Sequence, residues 1–156
     1  MDSNQLKNIA KELNLTNFLG VYAADELSSL PAGKCGTVIF NTDPSEKKGE
    51  HWIALCITKK NIFYFDSLNL QFVVIHEAAS FLVNLKKDLV FNKIKTQTNT
   101  SNNCGIQCIV FCIFMSTCGT RARYEEFLSL FLPFNVEERD RFVALFYSYI
   151  KLFHIS

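Results

Sequence analysis

The sequence has no excess of charge of either sign. Its 16 Lys and Arg against 15 Asp and Glu leave a net charge of +1, so it lacks the global basic field that holds nucleic acid irrespective of base sequence. The lysines at 86, 87, 93 and 95 form only a local run, which reads as a solvated edge. A long apolar run is also missing. The longest stretch, from Gly105 to Met115, contains Gln107 and falls short of the roughly 18 residues a membrane span requires. The opening MDSNQLKNIAKELN is polar, without the basic-then-apolar layout of a secretion signal, so the expected location is inside a cell. Six cysteines without such a signal read as free thiols. No internal repeat, low-complexity segment or linker interrupts the chain, and its 156 residues read as one domain, 1–156. Histidine is scarce, with three in the chain, which leaves few candidates for a general base.

What is present is a globular composition, with 49% hydrophobic and 20% charged residues. A chain of this size buries about 68–70% of its unfolded surface, and fifteen phenylalanines predict an aromatic-rich core. Leu6, Ile9, Ala10 and Leu13 recur at helical spacing behind Asp2 and Ser3, which predicts a capped helix over 3–14. A loop with Gly20, Pro31 and Gly33 follows. Strands are expected over 36–40, 51–57 and 62–65, the last two joined as a hairpin by Lys59-Lys60-Asn61. A helix over 71–87, a strand over 89–94 and an exposed polar loop over 96–103 come next. From Cys104 the chain turns abruptly apolar, as a buried central helix over 104–118 would, with Gly119 placed to end it. Helices over 124–132 and 136–153 complete an α+β domain, a small mixed or antiparallel sheet with helices on both sides.

The junction at 96–105 is where chemistry is expected. A polar loop delivers Cys104 to the start of a buried helix, where the positive end of the macrodipole and unpaired N–H groups favour thiolate. Gly105 leaves room beside it for a substrate backbone. A buried, inert cysteine would fit the same position, so a base must be found. His51 opens a strong strand directly after a glycine-bearing loop, whereas His76 lies in an amphipathic helix and His154 near the C-terminus, both positions of ordinary surface histidines. Antiparallel pairing of 51–57 with 62–65 would return Asp66 to the side of His51, where its carboxylate can fix the imidazole tautomer. Asp66 before Ser67 also fits a simple turn aspartate. Gln97, seven residues before Cys104, can offer its amide to an oxyanion together with the Cys104 N–H, or be merely a solvated side chain. Cys104, Cys108 and Cys112 share one helix face, but the latter two sit in an apolar run, and core packing rather than a metal site is the expectation for them and for Cys35, Cys56 and Cys118. The Phe- and Tyr-rich stretch from 127 to 153 reads as core, or as a face that docks a partner or a second subunit.

Gly49-x-His51-Trp52, Tyr64-Phe65-Asp66-Ser67, and Gln97 followed by Asn103-Cys104-Gly105 together resemble the adenovirus-type cysteine proteases (adenain) and, more distantly, the ubiquitin-like-protein proteases of the same clan. The order His, Asp or Glu, Gln, Cys marks that group; papain-like and transglutaminase-like enzymes place cysteine before histidine. Asn41-Thr42 and Phe18-Leu19-Gly20 resemble the viral branch, and the likeness runs from about residue 5 to about 118. It implies an endopeptidase that cleaves near glycine in viral precursor proteins during virion maturation, working in the host nucleus or cytoplasm and in the virion. His51 would be base, Asp66 orienter, Gln97 oxyanion donor and Cys104 nucleophile, with Trp52, Asn103 and Gly105 lining the cleft. Asp66 stands where adenoviral enzymes carry glutamate, and the C-terminal part is shorter than theirs. Those enzymes are basic, use DNA as a cofactor and bind a disulfide-linked peptide activator. With a charge of +1 and no cysteine around 85–88, this chain is expected to require neither DNA nor a covalently attached peptide. That leaves at most a non-covalent peptide activator and no metal or other cofactor. The alternatives are an isopeptidase acting on ubiquitin or a ubiquitin-like protein, and an inactive interaction module of the same fold, which the presence of His51, Asp66 and Cys104 counts against.

Overall fold

The computed structural model describes residues 1–31, 33–70, 76–117 and 119–154. Helix α1 (Ser3–Glu12) forms where the apolar spacing places it. Asp2 accepts the Gln5 N–H at 2.9 Å and Gln5 Oε1 accepts the Asp2 N–H at 2.8 Å, a reciprocal capping box. The stretch expected to be loop is partly regular: strand β1 (Phe18–Tyr22) and a 3-10 helix (Ala24–Ser29) lie there. FLGVY is five residues long with a central glycine, a weak local signal. Parallel pairing with β2 (Gly36–Asn41) makes it a strand. Gly36 permits that approach, because its φ is +154° and a Cβ on it would lie 2.1 Å from the Asn17 carbonyl oxygen. That same oxygen accepts the Thr37 N–H.

Strands β3 (Trp52–Ile57) and β4 (Asn61–Phe65) form the expected hairpin, closed by hydrogen bonds in both directions between Thr58 and Asn61. Helix α2 (His76–Asn84) carries the chain to β5 (Asp88–Phe91), which pairs parallel with β4. The sheet order is β1-β2-β3-β4-β5, with parallel pairs at both edges and antiparallel pairs inside. The expectation of a helix over 71–87 lies outside the described residues at 71–75, and the helix stops short of 87 because Lys86 adopts a left-handed φ of +51°. Strand β5 ends at Phe91 rather than at 94, since Asn92 turns inward to bind the backbone of Asp66.

Helix α3 (Cys104–Met115) lies against one face of the sheet. It ends at Met115 with Ser116 as its C-cap, short of 118 and of the expected terminator Gly119. Gly119 instead passes close to β3, where a Cβ would come 2.9 Å from Cys56 Sγ and Thr58 Cγ2. Helices α4 (Arg121–Ser129) and α5 (Val136–His154) close that layer. The strands alternate as a two-faced sheet must: Ile39, Ala54, Cys56, Phe63 and Phe65 face α3, while Val38, Phe40, Ile53, Leu55 and Ile62 face α2 and the 3-10 helix. The phenylalanines do build an aromatic core, with Phe65 stacked on Phe111 at 5.2 Å between ring centroids and Phe127 edge-on to both. The stretch from 127 to 153 divides: Phe127, Phe131, Val143 and Tyr147 are core, whereas Leu145, Tyr149 and Leu152 are exposed. Cys56 is buried as expected, but Cys35, directly before β2, is exposed. The expectations for Cys118 and for the side chains of His76 and His154 lie outside what is described.

Candidate active site

Three elements bring His51, Asp66 and Cys104 together. His51 sits just before β3, held by its carbonyl, which accepts the Thr42 N–H at 2.9 Å. The glycine two residues earlier is required there. Gly49 has a φ of +79°, and a Cβ on it would meet Asn41 Nδ2 at 2.4 Å. Asn41 in turn accepts the Asp43 N–H, so the Asn41-Thr42 and Gly49-x-His51 signals are two sides of one turn. Asp66 follows β4, and the β3·β4 register with Ala54 opposite Phe65 brings it back to His51. The His51 Nε2–H donates to Asp66 Oδ1 at 2.6 Å, with both side chains largely buried. That leaves His51 Nδ1 for the Cys104 thiol at the head of α3, with which the ring is hydrogen-bonded.

Asp66 both contacts His51 and closes the turn that follows β4. Its Oδ1 also accepts the Leu68 N–H at 2.9 Å and its Oδ2 the Leu70 N–H at 2.8 Å. Burial raises its pKa, but the hydrogen bond to His51, the imidazolium charge and these two N–H groups outweigh burial and hold it below the ordinary value. For His51 burial acts to lower the pKa. The hydrogen bonds and charges of Asp66 and Cys104 overcome it and raise the imidazole to about 9. Burial likewise opposes the thiolate. The His51 hydrogen bond, the Trp52 backbone N–H, the His51 charge and the Gly105 N–H still bring Cys104 below an ordinary thiol. Both shifts run in the direction that favours a thiolate–imidazolium pair beside the Asp66 carboxylate.

The titration directions give a test. The pair exists from the lowered Cys104 pKa up to about 9. Alkylation of Cys104 by iodoacetamide should therefore persist to lower pH than alkylation of an ordinary thiol, which slows as pH falls below about 8.5. Turnover that needs the imidazolium should fall as pH rises through about 9, while alkylation persists. A Cys104 profile that follows that of free cysteine would exclude the pair.

The other sequence-derived residues come together less simply. Gln97 is not a solvated side chain, and the 96–103 loop is not wholly exposed, since Thr96 and Gln97 are buried. Their backbone N–H groups both bind the Ser67 carbonyl. Gln97 Oε1 accepts the Ser67 hydroxyl at 2.7 Å and its amide donates to the Ser101 carbonyl at 2.7 Å. Trp52, beside His51, donates its indole N–H to the Met1 carbonyl at 3.0 Å. The space beside Gly105 is filled by α1 and the residue before its cap: a Cβ there would lie 3.1 Å from Met1 Sδ and 3.3 Å from Leu6 Cδ2. The missing side chain thus lets α1 pack onto α3. Asn103 turns its amide to Asp140 on α5 at 3.0 Å. Cys108 and Cys112 are fully buried with thiols pushed up by burial, and among the described residues no group of three His, Cys, Asp or Glu is placed to hold a metal. Sequence reasoning missed Asn92, whose side chain holds the Asp66 backbone N–H at 2.9 Å and carbonyl at 2.7 Å. Its one signal was a polar residue closing an apolar strand.

Cys104 thus stands at the head of a central helix, against a mixed sheet whose hairpin carries His51 and Asp66 at its end. No family model matches the chain, but individual proteins do. The protease of ovine adenovirus D serotype 7 is 32% identical over an alignment of 126 positions, covering 74% of this chain and 63% of that protein. The proteases of bovine adenovirus 4 (29%, covering 80% and 67%) and snake adenovirus serotype 1 (30%, covering 69% and 61%) align similarly. The chain is related in sequence to the adenovirus proteases, and it spans about two thirds or less of the length of those relatives. Among solved structures it shares its fold with the Chlamydia trachomatis effector protein Cdu1 bound to ubiquitin, at a TM-score of 0.53 and 16% identity over 98% of this chain and 81% of that one. ChlaDub1 from Chlamydia trachomatis gives the same score at 17% identity, covering 98% and 80%. Among the described residues no helix is long and apolar enough to cross a membrane.

Proposed function

We propose that this protein is a cysteine endopeptidase that cleaves polypeptides near glycine, acting on viral precursor proteins during virion maturation in the infected cell and the particle. The observation that carries the reading is the continuous line from Asp66 through His51 to Cys104, with His51 Nε2 on the carboxylate and the ring bonded to the thiol. The Cys104 thiolate attacks the scissile carbonyl carbon. Negative charge then develops on the carbonyl oxygen, where the Cys104 N–H at the open start of α3 and the second N–H of the Gln97 amide are available. One such donor is worth roughly 3–4 kcal/mol in the transition state. Imidazolium His51 protonates the leaving amine, and the neutral ring then draws a proton from the water that resolves the thioester. Asp66 keeps the proton of the neutral ring on Nε2, so that Nδ1 faces the reaction. No disulfide-linked peptide and no DNA are required in this scheme.

The test is a peptide ending in a glycine-derived electrophile, with the modified residue mapped by mass spectrometry. Labelling confined to Cys104 and lost in His51→Ala is the expected result. Slow labelling spread over several cysteines and indifferent to His51→Ala would rule the scheme out. Running a free Gly-Gly peptide beside an intact ubiquitin C-terminal amide separates endopeptidase from isopeptidase: cleavage of the latter alone would move the reading to a ubiquitin-directed enzyme.

A further inference from the structure

The loop that carries Gln97 and runs into Cys104 is held from behind by the first turns of α5. Asp140, only 6% exposed, accepts four hydrogen bonds. Its Oδ2 takes the Thr98 N–H and the Thr98 hydroxyl, both at 3.2 Å. Its Oδ1 takes the Asn103 amide at 3.0 Å and the Gln107 amide at 3.4 Å. The next residue back, Arg139, donates Nη1 to the Lys95 carbonyl at 2.9 Å and Nε to the Phe131 carbonyl at 2.8 Å. Two consecutive residues of α5 thus grip the loop at Lys95, Thr98 and Asn103, on both sides of Gln97 and directly before the nucleophile.

Anchoring α5 does not need this carboxylate. Val143 and Tyr147 are in the core, with Phe142, Phe146 and Ile150 packed against it. Burying a carboxylate is costly unless donors surround it, and all four donors here are neutral groups of the loop and of α3. What Asp140 does that an apolar residue could not is to fix the course of the backbone between Gln97 and Cys104. Without it the Thr98 N–H and the Asn103 amide lose this acceptor, while Gln107 keeps the Thr96 carbonyl at 3.1 Å. The loop would then relax by the fraction of an ångström that matters to an oxyanion donor.

We propose that Asp140 is a positioning residue for oxyanion stabilisation, acting through the 95–103 loop on the aim of Gln97 and the Cys104 N–H; this rests on the reading of the site as a thiol protease. It touches neither substrate nor sulfur. Its removal should therefore weaken the step that builds charge on the carbonyl oxygen and spare the nucleophile itself.

Two reactions of the same cysteine separate these effects. Iodoacetamide alkylation requires the thiolate and no oxyanion donor. Hydrolysis of a peptidyl-Gly-Gly aminomethylcoumarin substrate requires both. In Asp140→Ala, kcat should fall by about 10- to 100-fold with KM within about twofold. The rate and pH profile of Cys104 alkylation should match the wild-type protein. Asp140→Asn, isosteric and retaining one acceptor oxygen, should lie between the two and carries the test if the alanine variant does not fold. Unchanged kcat in both variants overturns the proposal, as does a parallel loss of turnover and alkylation, which would mark a purely structural role. A wild-type protein whose Cys104 reacts no faster than free cysteine would sink the protease reading and this inference together, and that result is seen before any substitution is made.

Discussion

Replacing Cys104 by alanine should lower kcat by at least about 10⁴-fold on a glycine-containing peptide, with the thermal midpoint shifted by only a few degrees. Neither of the next thiols on the helix can take over, because Cys108 and Cys112 are fully buried with pKa values raised by that burial. The structural cost is small. The lost sulfur leaves the Trp52 and Gly105 N–H groups without an acceptor, worth about 1 kcal/mol each where solvent cannot replace it. The same variant has a spectroscopic signature. Loss of the sulfur partner removes one of the influences that raise His51, so the NMR titration of that imidazole should drop below about 9. Retained turnover, or a His51 titration indifferent to the substitution, would show that the two side chains do not act together.

Asp66→Asn is expected to lower kcat by about 10²- to 10⁴-fold and to move the alkaline limb of the pH–rate profile downward. The reason lies in how completely the carboxylate is used. Oδ1 accepts from His51 and Leu68, and Oδ2 accepts from Leu70. An amide has one acceptor oxygen. If it faces His51, the NH₂ is set against the Leu70 N–H. If it faces Leu70, the NH₂ is set against His51 Nε2, which then binds it only as an acceptor and carries its proton on Nδ1, the wrong atom for a base. Either way the negative charge that favours the imidazolium is gone. His51 should then lose its proton at lower pH, shortening from the alkaline side the range in which the ion pair exists. The measurement is kcat against pH for both proteins, and equal profiles would remove Asp66 from the mechanism.

The residues that carry the site were legible in the sequence for local reasons. Cys104 stands where a polar loop meets an apolar helix, His51 where a glycine turn meets a strand, and Asp66 where the partner strand of a short hairpin ends. Each of those boundaries is marked by a change of composition or periodicity within a few residues. The hairpin fixes the His51–Asp66 approach almost by itself, since a tight turn sets the register. The central helix was legible from its uniform apolar character, although its end was not. Gly119 looked like a terminator, but its position is set by close passage over Cys56 and Thr58 on β3.

What the tertiary structure alone decided lies at larger separations along the chain. Strand β1 exists because β2 lies beside it, not because FLGVY favours a strand. Gln97 reads as one polar residue among many, yet it is buried because Ser67, 30 residues away, supplies its partners. Asn92 clamps the backbone of a residue 26 positions earlier, and Asp140 grips Thr98 across 42 positions. Such contacts depend on the register of a five-stranded sheet and on where α5 comes to rest against α3. Local propensity carries no information about either. Sequence alone determined which groups are candidates for chemistry, because side-chain type and local boundaries are written in order along the chain. The fold determined which nitrogen of His51 meets the sulfur, which residues hold the 95–103 loop and what surrounds each charge, because hydrogen-bond geometry and burial arise only when distant segments are packed together.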